Sequence, residues 1–325
     1  MMNNFSKRMY GSVIIRSINS NFNADFTHAP RTLPDGTVYA TDKALKYAIK
    51  DYLRKQHEGP GNYLLYVKRF NSEIAPFNLE EAYEFLEKKI GTISTNTNKD
   101  KKDVKKETLK NILQCIDVRL FGATFAKQSK NNSVNLSLHG PVQINHAVNR
   151  FPENIIYTED ILSPFRTGTE TGDEAKANST IGNQTNIKEA HYVYHFSVNP
   201  ANLDIYKEIL GDDFKTISEN DIKLFKEAML KSVTYLDSSR KIGSENEFAI
   251  FVTLKEGSKK VLPSFTELID VKRENGVVLI NADKVASVID KINDDVESVE
   301  IYFNDADTKL TGFENSPKVK ISGIL

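Results

Sequence analysis

Two β-strand patterns, each punctuated by glycine, constrain the fold of this chain more than any other feature. They occupy residues 117–126 (DVRLFGATFA) and 134–144 (VNLSLHGPVQI), with a polar stretch at 127–133 between them. Apolar residues that alternate on both sides of a polar tip predict a β-hairpin, and we place its first strand in the centre of a sheet. The segments carry no group typical of a catalyst, so the pattern favours a binding surface.

The order of the remaining patterns predicts an α+β fold. Strand–helix–strand followed by strand–helix–strand is typical of a ferredoxin-like or RRM-like antiparallel sheet. We expect one decorated domain over 1–325, with a helical insertion at 57–110 and a protruding insertion at 163–188, which is too polar to form its own core. The other predicted strands are 11–19, 63–70, 191–198, 247–254 and 296–303, the predicted helices are 41–56, 79–90, 218–232 and 281–293, and 95–106 is predicted to be a mobile surface loop.

The composition bears on whether the chain is associated with a membrane and on its cellular compartment. Hydrophobic residues make up 39% and charged residues 27% of the 325 residues. No run approaches the ~18 consecutive apolar residues that a membrane span needs, so no membrane role is expected. The single cysteine, Cys115, excludes an internal disulfide and is expected to be buried. The polar N-terminus lacks a secretory pattern, and we expect a cytoplasmic protein.

The formal net charge of −1 conceals an uneven distribution of charge. Residues 41–56 carry five basic and two acidic side chains, whereas 283–307 carry eight acidic side chains and two lysines. Such a chain could bind a polyanion at its basic part and attract copies of itself head to tail. The alternative is that both stretches are solvated helix faces.

Two arginines are the candidate phosphate ligands of the predicted sheet. Arg16 lies within the first strand pattern and Arg119 within the pattern at 117–126. Because side chains alternate along a strand, each arginine could project from an open sheet face towards a phosphate. The alternative is an arginine paired to a carboxylate such as Asp117 or Asp25.

The loop at 19–36 and the helix after it supply further donors. The loop contains amide side chains, an aromatic residue and a guanidinium group, a mixture that suits single-stranded RNA, although the same residues are turn formers. Thr41 or Asp42 is expected to cap the helix, with Leu45, Ala48, Ile49, Tyr52 and Leu53 on its buried side. The candidate RNA-binding residues of this part are Asn21, Arg31, Lys43, Lys46 and Lys50.

Two later segments complete the candidate set. In 139–150 a glycine would let backbone approach a ligand closely, and the polar residues after it could contact that ligand, although the Gly-Pro pair alone could be a turn. The loop 238–243 holds hydroxyls, two cations and a glycine that could bind phosphate. The candidates are Gln143, Asn145, His146, Arg150, Arg240 and Lys241.

Signals for other chemistry are weak. His191 and His195 have the spacing of a helical zinc site, but their surroundings predict a strand, and we expect no metal site. Asp305 and Asp307 have the spacing of the first two ligands of a calcium-binding loop, but the glycine at position six of that loop is absent. No nucleotide-binding glycine motif or nucleophile elbow is present, so no cofactor and no catalytic residue is predicted.

The order Asp-Val-Arg-x-Phe-Gly, a polar spacer, then Gly-Pro-Val-Gln-Ile resembles the Cas7 family of CRISPR-associated proteins, the backbone subunits of type I Cascade complexes. The I-B branch is the most similar. The resemblance implies that 163–186 corresponds to a thumb that crosses the guide RNA, with Phe165, Arg166 and Ile181 as wedge candidates. It supports the phosphate role of Arg240 and Lys241. The family's Pro-Arg-x-Asp element is kept as Pro30-Arg31, with Leu33 in place of its acid.

The resemblance implies a non-enzymatic protein that polymerises along CRISPR RNA. Its partners would be the guide, target DNA paired to that guide, neighbouring copies in a head-to-tail filament and other Cascade subunits. Two alternatives remain: a nuclease subunit like those of type III complexes, using Asp25 or Asp35, and a stand-alone RNA-binding module.

Overall fold

The computed structural model describes residues 3–92, 100–127, 133–163 and 179–324. The strands in chain order are β1 (Met9–Ser20), β2 (Tyr39–Ala40), β3 (Gly122–Lys127), β4 (Val134–His139), β5 (Val142–Ile144), β6 (Ala147–Asn149), β7 (Ile156–Ser163), β8 (Ser179–Val198), β9 (Ser244–Leu254), β10 (Asp270–Glu274), β11 (Val277–Asn281), β12 (Val296–Phe303), β13 (Thr308–Thr311) and β14 (Val319–Gly323). The α-helices are α1 (Asp42–His57), α2 (Leu79–Ile90), α3 (Lys101–Ile112), α4 (Ile116–Phe121), α5 (Lys207–Leu210), α6 (Glu219–Lys231) and α7 (Asp283–Asp290), and 3-10 turns cover Pro200–Tyr206, Gly211–Asp213 and Asn293–Asp295.

A large sheet forms the centre of this α+β fold. Its order is β14-β12-β9-β1-β8-β6-β2, and β5 and β7 also pair with β8. β1 lies between β8 and β9 and runs antiparallel to both. Two smaller sheets accompany it, one of β10, β11 and β13 and one of β3 and β4.

Both faces of β1 are buried. Val13 and Ile15 belong to a core formed with α1 and α6, whereas Tyr10 and Ile14 belong to a second core formed with the C-terminal elements. Period-2 alternation sends successive side chains to opposite faces, and here each face has its own cover. The sheet face that the sequence predicts to be open is therefore closed, around β1, by the C-terminal part of the chain.

Helices α1 and α6 begin where the sequence predicts. Thr41 caps α1 by accepting a hydrogen bond from the Ala44 amide, and the five buried residues of α1 are those of the predicted stripe. Ser218 and Asp221 form a capping box at the start of α6. Local capping and a 3.6-residue period thus specify the two helices that cover one face.

The insertion at 57–110 packs with the β3–β4 hairpin around a third core that contains the buried Cys115. The predicted hairpin is confirmed, but it forms a separate two-stranded sheet and β3 is not central. The strand predicted at 63–70 is wrong, because that segment makes only isolated bridges. The loop prediction at 95–106 is wrong from Lys101 onwards, where α3 begins.

No helix of the described residues is both long enough and apolar enough to cross a membrane.

Candidate nucleic-acid interface

The Asp-Val-Arg motif has a structural role, because its two charged side chains bond to other segments of the chain. Residues 116–121 form α4, so the prediction of a strand around Arg119 is wrong. The Arg119 guanidinium donates to both oxygens of Asp221 at 2.9 and 2.7 Å and to the carbonyl oxygens of Leu113 and Gly61, both at 2.9 Å. With 4% of its surface exposed, Arg119 faces the interior, and the expected projection towards a phosphate is wrong.

Asp117 has the matching role on the same helix. Its carboxylate accepts hydrogen bonds from the backbone amides of Leu65 and Tyr66 at 3.1 and 2.8 Å. Burial raises the pKa of Asp117, while the cation of Lys50 and these amides oppose that rise. The motif therefore fastens an irregular segment of the insertion to α4.

Arg16 is likewise enclosed by carboxylates. Its guanidinium pairs with Glu245 and with Asp307, the latter at 2.7 Å, and lies 3.5 Å from Glu247. Asp307 comes from the C-terminal part of the chain, which covers this face of β1. The predicted exposure of Arg16 is wrong for that reason, and 5% of its surface is accessible.

Asn145 and Arg150 hold the C-terminal segment in place. The amide of Asn145 donates to the Thr266 hydroxyl at 2.9 Å. Arg150 pairs with Glu267 at 2.6 Å and with Asp270 at 3.0 Å. Both side chains are therefore engaged within the protein, as Arg16 and Arg119 are.

Gln143 and the glycines near it are explained by backbone packing. Gln143 donates to the Gly140 carbonyl at 2.8 Å. A Cβ added at Gly140 would lie 2.2 Å from the Gly122 nitrogen, and Gly122 itself has a φ of +78°. The close approach that the sequence predicts at Gly140 is real, but its partner is the chain's own backbone. The Gly-Pro pair lies where the chain leaves β4 and enters the large sheet as β5.

The loop after β1 is held by a dense set of hydrogen bonds. The Asn21 amide donates to the carbonyl oxygens of His28 and Thr185 at 3.0 and 3.1 Å, so this candidate is buried and structural. Asn23 accepts from the amide and hydroxyl of Thr41 at 2.8 and 3.0 Å. These bonds fix the loop against the first turn of α1.

The loop aspartates shape turns. One Asp25 oxygen accepts from the amide and hydroxyl of Thr27 at 2.8 and 2.7 Å, and from the Ala29 amide at 3.1 Å. The hydroxyl of Thr27 is the main cause of the lowered pKa of Asp25. Asp35 accepts from the Thr37 amide at 2.9 Å, the main cause of its lowered pKa. Both carboxylates therefore have local partners.

The same loop presents an aromatic ring that the sequence reasoning did not single out. Phe26 is 98% exposed at the tip of the turn that Asp25 closes. The Asp25 amide donates to the Ala29 carbonyl at 2.8 Å, and the His28 amide donates to the Asp25 carbonyl at 3.2 Å. The sequence signal that could have identified Phe26 is an aromatic residue directly after a turn-forming aspartate, Asp25.

The first turn of α1 meets the strand β6. Lys46 pairs with Asp42 at 2.9 Å, and His146 lies 3.5 Å from the same carboxylate while its ring stacks on Tyr39. Lys43 is exposed beside them. Three of the predicted candidates, Lys43, Lys46 and His146, are thus brought together.

Lys50, the last of the three candidate lysines of α1, is affected by burial. Burial lowers the pKa of Lys50, and its ammonium lies 5.9 Å from the centre of the Tyr66 ring. The nearby Asp117 opposes that lowering. Lys50 therefore lies between α1 and the insertion, near the half-buried Lys46, whose ammonium is 5.5 Å from the centre of the Phe121 ring. Of these three lysines, Lys43 is the exposed one.

The predicted turn at 238–243 joins the same region. The Arg240 carbonyl accepts from the Asn21 amide at 2.8 Å. Lys241 donates to the Phe22 carbonyl and lies over the Phe22 ring, and burial lowers its pKa to about 8. Arg31, half-buried in the loop, has its carbonyl bonded to the Tyr39 amide at 3.0 Å.

These contacts bring three distant segments to one end of the large sheet. They are the loop after β1, the first turn of α1 with β6, and the turn at 240–243. The basic side chains of this end, the His146 imidazole and the Phe26 ring are called the loop-end surface. It comprises Phe26, Arg31, Lys43, Lys46, His146, Arg240 and Lys241.

A two-stranded ribbon extends beyond the same end of β1. Ser20 pairs with Ile187, whereas the part of β8 before Ile187 pairs only with β7 among the described residues. Phe165 and Arg166 lie outside the described residues, as does the side chain of Ile181. The hydrogen-bonded strands of the ribbon belong to the polar insertion and its flanks.

His191 and His195 lie on strand β8, as predicted. Among the described residues, no three His, Cys, Asp or Glu side chains are grouped so as to hold a metal ion.

Comparison with family models gives the deciding observation. The model for the CRISPR-associated protein Cas7 matches residues 7–297. The chain belongs to the Cas7 family. The match of this Cas7 chain runs from just before β1 to the start of β12, so it spans all the segments that form the loop-end surface.

Solved structures agree with this Cas7 fold. A chain of a "CRISPR RNA-guided surveillance complex" aligns with a TM-score of 0.51 at 10% identity, covering 93% of this chain and 91% of that one. A chain of a "CRISPR RNA-guided surveillance complex, pre-nicking" gives 0.52 at 12% identity, with 97% and 96% covered. Comparison with curated protein sequences returned no match.

Proposed function

We propose that this Cas7-family chain is a CRISPR RNA-binding backbone subunit of a Cascade-type surveillance complex in antiviral defence. The observation that carries the proposal is the family match over residues 7–297. In this function, target sequence is recognised by pairing between guide RNA and target DNA, while the protein contacts backbone and shape. The resemblance of the glycine-framed motif supports the I-B branch as the proposed subtype, and the cytoplasm is the proposed compartment.

The loop-end surface is the proposed guide site. Its cations are exposed or half-buried and come from three segments, which suits the phosphates of a single strand. Phe26 offers a ring for a base. We leave out Arg16, Asn21 and Arg119 because they are buried and their donors bond within the protein. Asn145 and Arg150 are left out because they hold the C-terminal segment.

The fold assignment is compatible with this function. The strand order β9-β1-β8 with β5 and β6 beyond, and α1 and α6 packed in one core, supports a ferredoxin-like, RRM-like palm. We propose a single decorated domain with an insertion at 57–110. The β7–β8 ribbon would be the base of the thumb at 163–188, and neighbouring copies would follow one another along the guide.

A non-enzymatic role fits the local chemistry better than the nuclease alternative. The carboxylates of Asp25 and Asp35 accept hydrogen bonds from their own turns. A loop aspartate that shapes its turn in this way is accounted for without a catalytic role.

Copurification tests the proposal. The chain is coexpressed with a transcript of CRISPR repeats and spacers, purified, and its nucleic acid is sequenced and sized with the assembly. We expect protected repeat-derived guides in an assembly of several copies. Random cellular RNA on a monomer that stays monomeric would contradict the proposal and favour a stand-alone RNA-binding module.

A further inference from the structure

A second basic cleft lies at the opposite end of the large sheet. It encloses about 390 Å³ and is lined by three segments, 4–8 before β1, 199–216 after β8 and 255–258 after β9. β1 has 12 residues, so about 36 Å separates this end from the loop-end surface at about 3.3 Å per residue. The two surfaces therefore cannot contact the same nucleotide.

Three cations in this cleft have no acidic partner among the residues that the structure describes. They are Arg8, Lys207 and Lys255. Within the described ranges, no carboxylate forms an ion pair with any of them, whereas the neighbouring Lys7 pairs with Glu297 at 2.7 Å. Asp204 is the one acidic residue among those that line the cleft, so the local balance is positive. Unpaired cations that converge on a concave surface attract an anion.

Two polar atoms in the lining also lack a hydrogen-bond partner in the described part of the chain. They are the buried Nε of Arg8 and the buried hydroxyl oxygen of Thr216. Unpaired buried polar groups are costly, and a ligand rich in acceptor oxygens would compensate by bonding to such donors. Phosphate oxygens are acceptors of this kind, and arginine matches them well.

The cleft also contains an aromatic residue that can stack on a base. Phe214 is half-buried in its wall and packs against the third core. Cations that follow a backbone together with a ring on which a base can stack are the usual components of a single-strand binding groove. The cleft volume is also within the range of small-ligand sites. An acidic peptide would use the cations but not the ring.

We propose that this cleft, lined by Arg8, Lys207, Phe214, Thr216 and Lys255, binds a nucleotide of a single-stranded nucleic acid other than the guide segment on the same copy. It gives the chain two nucleic-acid contacts at opposite ends of one sheet. The cations bind the phosphate, and Phe214 stacks on the base.

The test measures binding of a fluorescent oligothymidylate to protein saturated with unlabelled guide RNA, by anisotropy over a salt series. The variant is Lys207→Gln/Lys255→Gln. Its control is Lys259→Gln/Lys260→Gln, which removes the same charge from exposed positions of the adjacent loop. Phe214→Leu tests stacking while keeping an apolar side chain, and guide affinity is measured in parallel.

We expect the cleft variant to bind oligothymidylate about tenfold more weakly and its salt slope to fall by about 1.4, since each single-strand phosphate contact contributes about 0.7. Phe214→Leu should weaken binding about fivefold without changing the slope. The loop control should change affinity less than about threefold, and guide affinity should be unchanged in all variants.

Equal losses in the cleft variant and the loop control would overturn the proposal, because charge alone would then explain binding. Displacement of oligothymidylate by polyglutamate, with no effect of Phe214→Leu, would also overturn it and indicate an acidic peptide site. Unchanged oligothymidylate binding in the cleft variant would exclude the site outright.

Discussion

At the scale of single residues, Arg119 and Asp221 form a bidentate ion pair that is almost completely removed from solvent. Asp221 also caps α6, so the pair links α4 to the start of α6. Arg119 also donates to the Gly61 carbonyl of the insertion and to the Leu113 carbonyl. Removing one partner of a buried pair leaves the other charge without compensation.

Arg119→Ala is therefore predicted to lower the free energy of unfolding by about 3–5 kcal/mol. Chemical denaturation measures this loss. The control is Arg54→Ala, whose partner Asp51 lies on the surface of α1 at 3.0 Å, with an expected loss of about 1 kcal/mol or less. A stable Arg119→Ala protein that had lost guide affinity would support the RNA contact that the sequence alone suggested.

His191 is a second residue whose surroundings make a prediction. It is fully buried on β8, with Nδ1 2.5 Å from Glu247 and Nε2 3.0 Å from Glu189. Glu247 also lies near Arg16, and Glu189 pairs with Arg273 at 2.6 Å. Burial lowers the pKa of His191, but the two carboxylates outweigh it and raise the pKa above 6.5.

A pKa that is raised in the folded state determines whether stability rises or falls with pH. Charged His191 stabilises the fold fully below pH 6.5, and that contribution is lost as the pH rises through the raised pKa. Thermal unfolding midpoints of the wild type and His191→Gln, compared from about pH 6 to about pH 9, should differ most at the acidic end. A difference that is constant over this range would contradict charged His191.

At the scale of elements, the contact of Gly122 with Gly140 determines how the β3–β4 hairpin meets the large sheet. A Cβ at Gly140 would lie 2.2 Å from the Gly122 nitrogen and the Phe121 carbonyl carbon. Backbone atoms cannot yield as a flexible side chain can, so the hairpin would have to move.

Gly140→Ala is predicted to lower the free energy of unfolding by about 1–3 kcal/mol or more, as overpacking does. Gly59→Ala is the control, because nothing lies within 4 Å of its added Cβ. Urea denaturation compares the two. Equal stability of both variants would mean that the glycine pair does not limit the packing of the hairpin.

The sequence predicted those elements whose signals are local. Thr41 and the buried stripe specify α1, and Ser218 with Asp221 specifies α6. The strand prediction at 116–121 was wrong because four apolar and two charged residues in a six-residue segment fit a strand or a helix equally well. The buried partner of Arg119, Asp221, lies 102 positions away in the sequence. Distant partners of this kind leave no local pattern.

At the scale of the whole molecule, the largest error of the sequence-based prediction was that one face of the sheet is open. β1 contains the uninterrupted apolar run Val13-Ile14-Ile15, which is typical of a strand covered on both faces. The C-terminal residues that cover it also supply Asp307 to Arg16. The binding surface that we propose therefore lies at the end of the sheet, where loops collect, and not on its face.

The proposed function requires that the loop-end surface binds guide RNA. Arg31→Gln/Lys43→Gln/Arg240→Gln removes three of its cations, and Lys291→Gln/Lys309→Gln/Lys320→Gln removes the same charge from exposed positions in the C-terminal part. Filter binding over a salt series measures guide affinity for both.

We predict that the loop-end variant loses about a hundredfold in guide affinity and that its salt slope falls by about 2, whereas the C-terminal control stays within about threefold of the wild type. Wild-type affinity and slope in the loop-end variant, or an equal loss in both variants, would contradict the assignment of this surface to the guide.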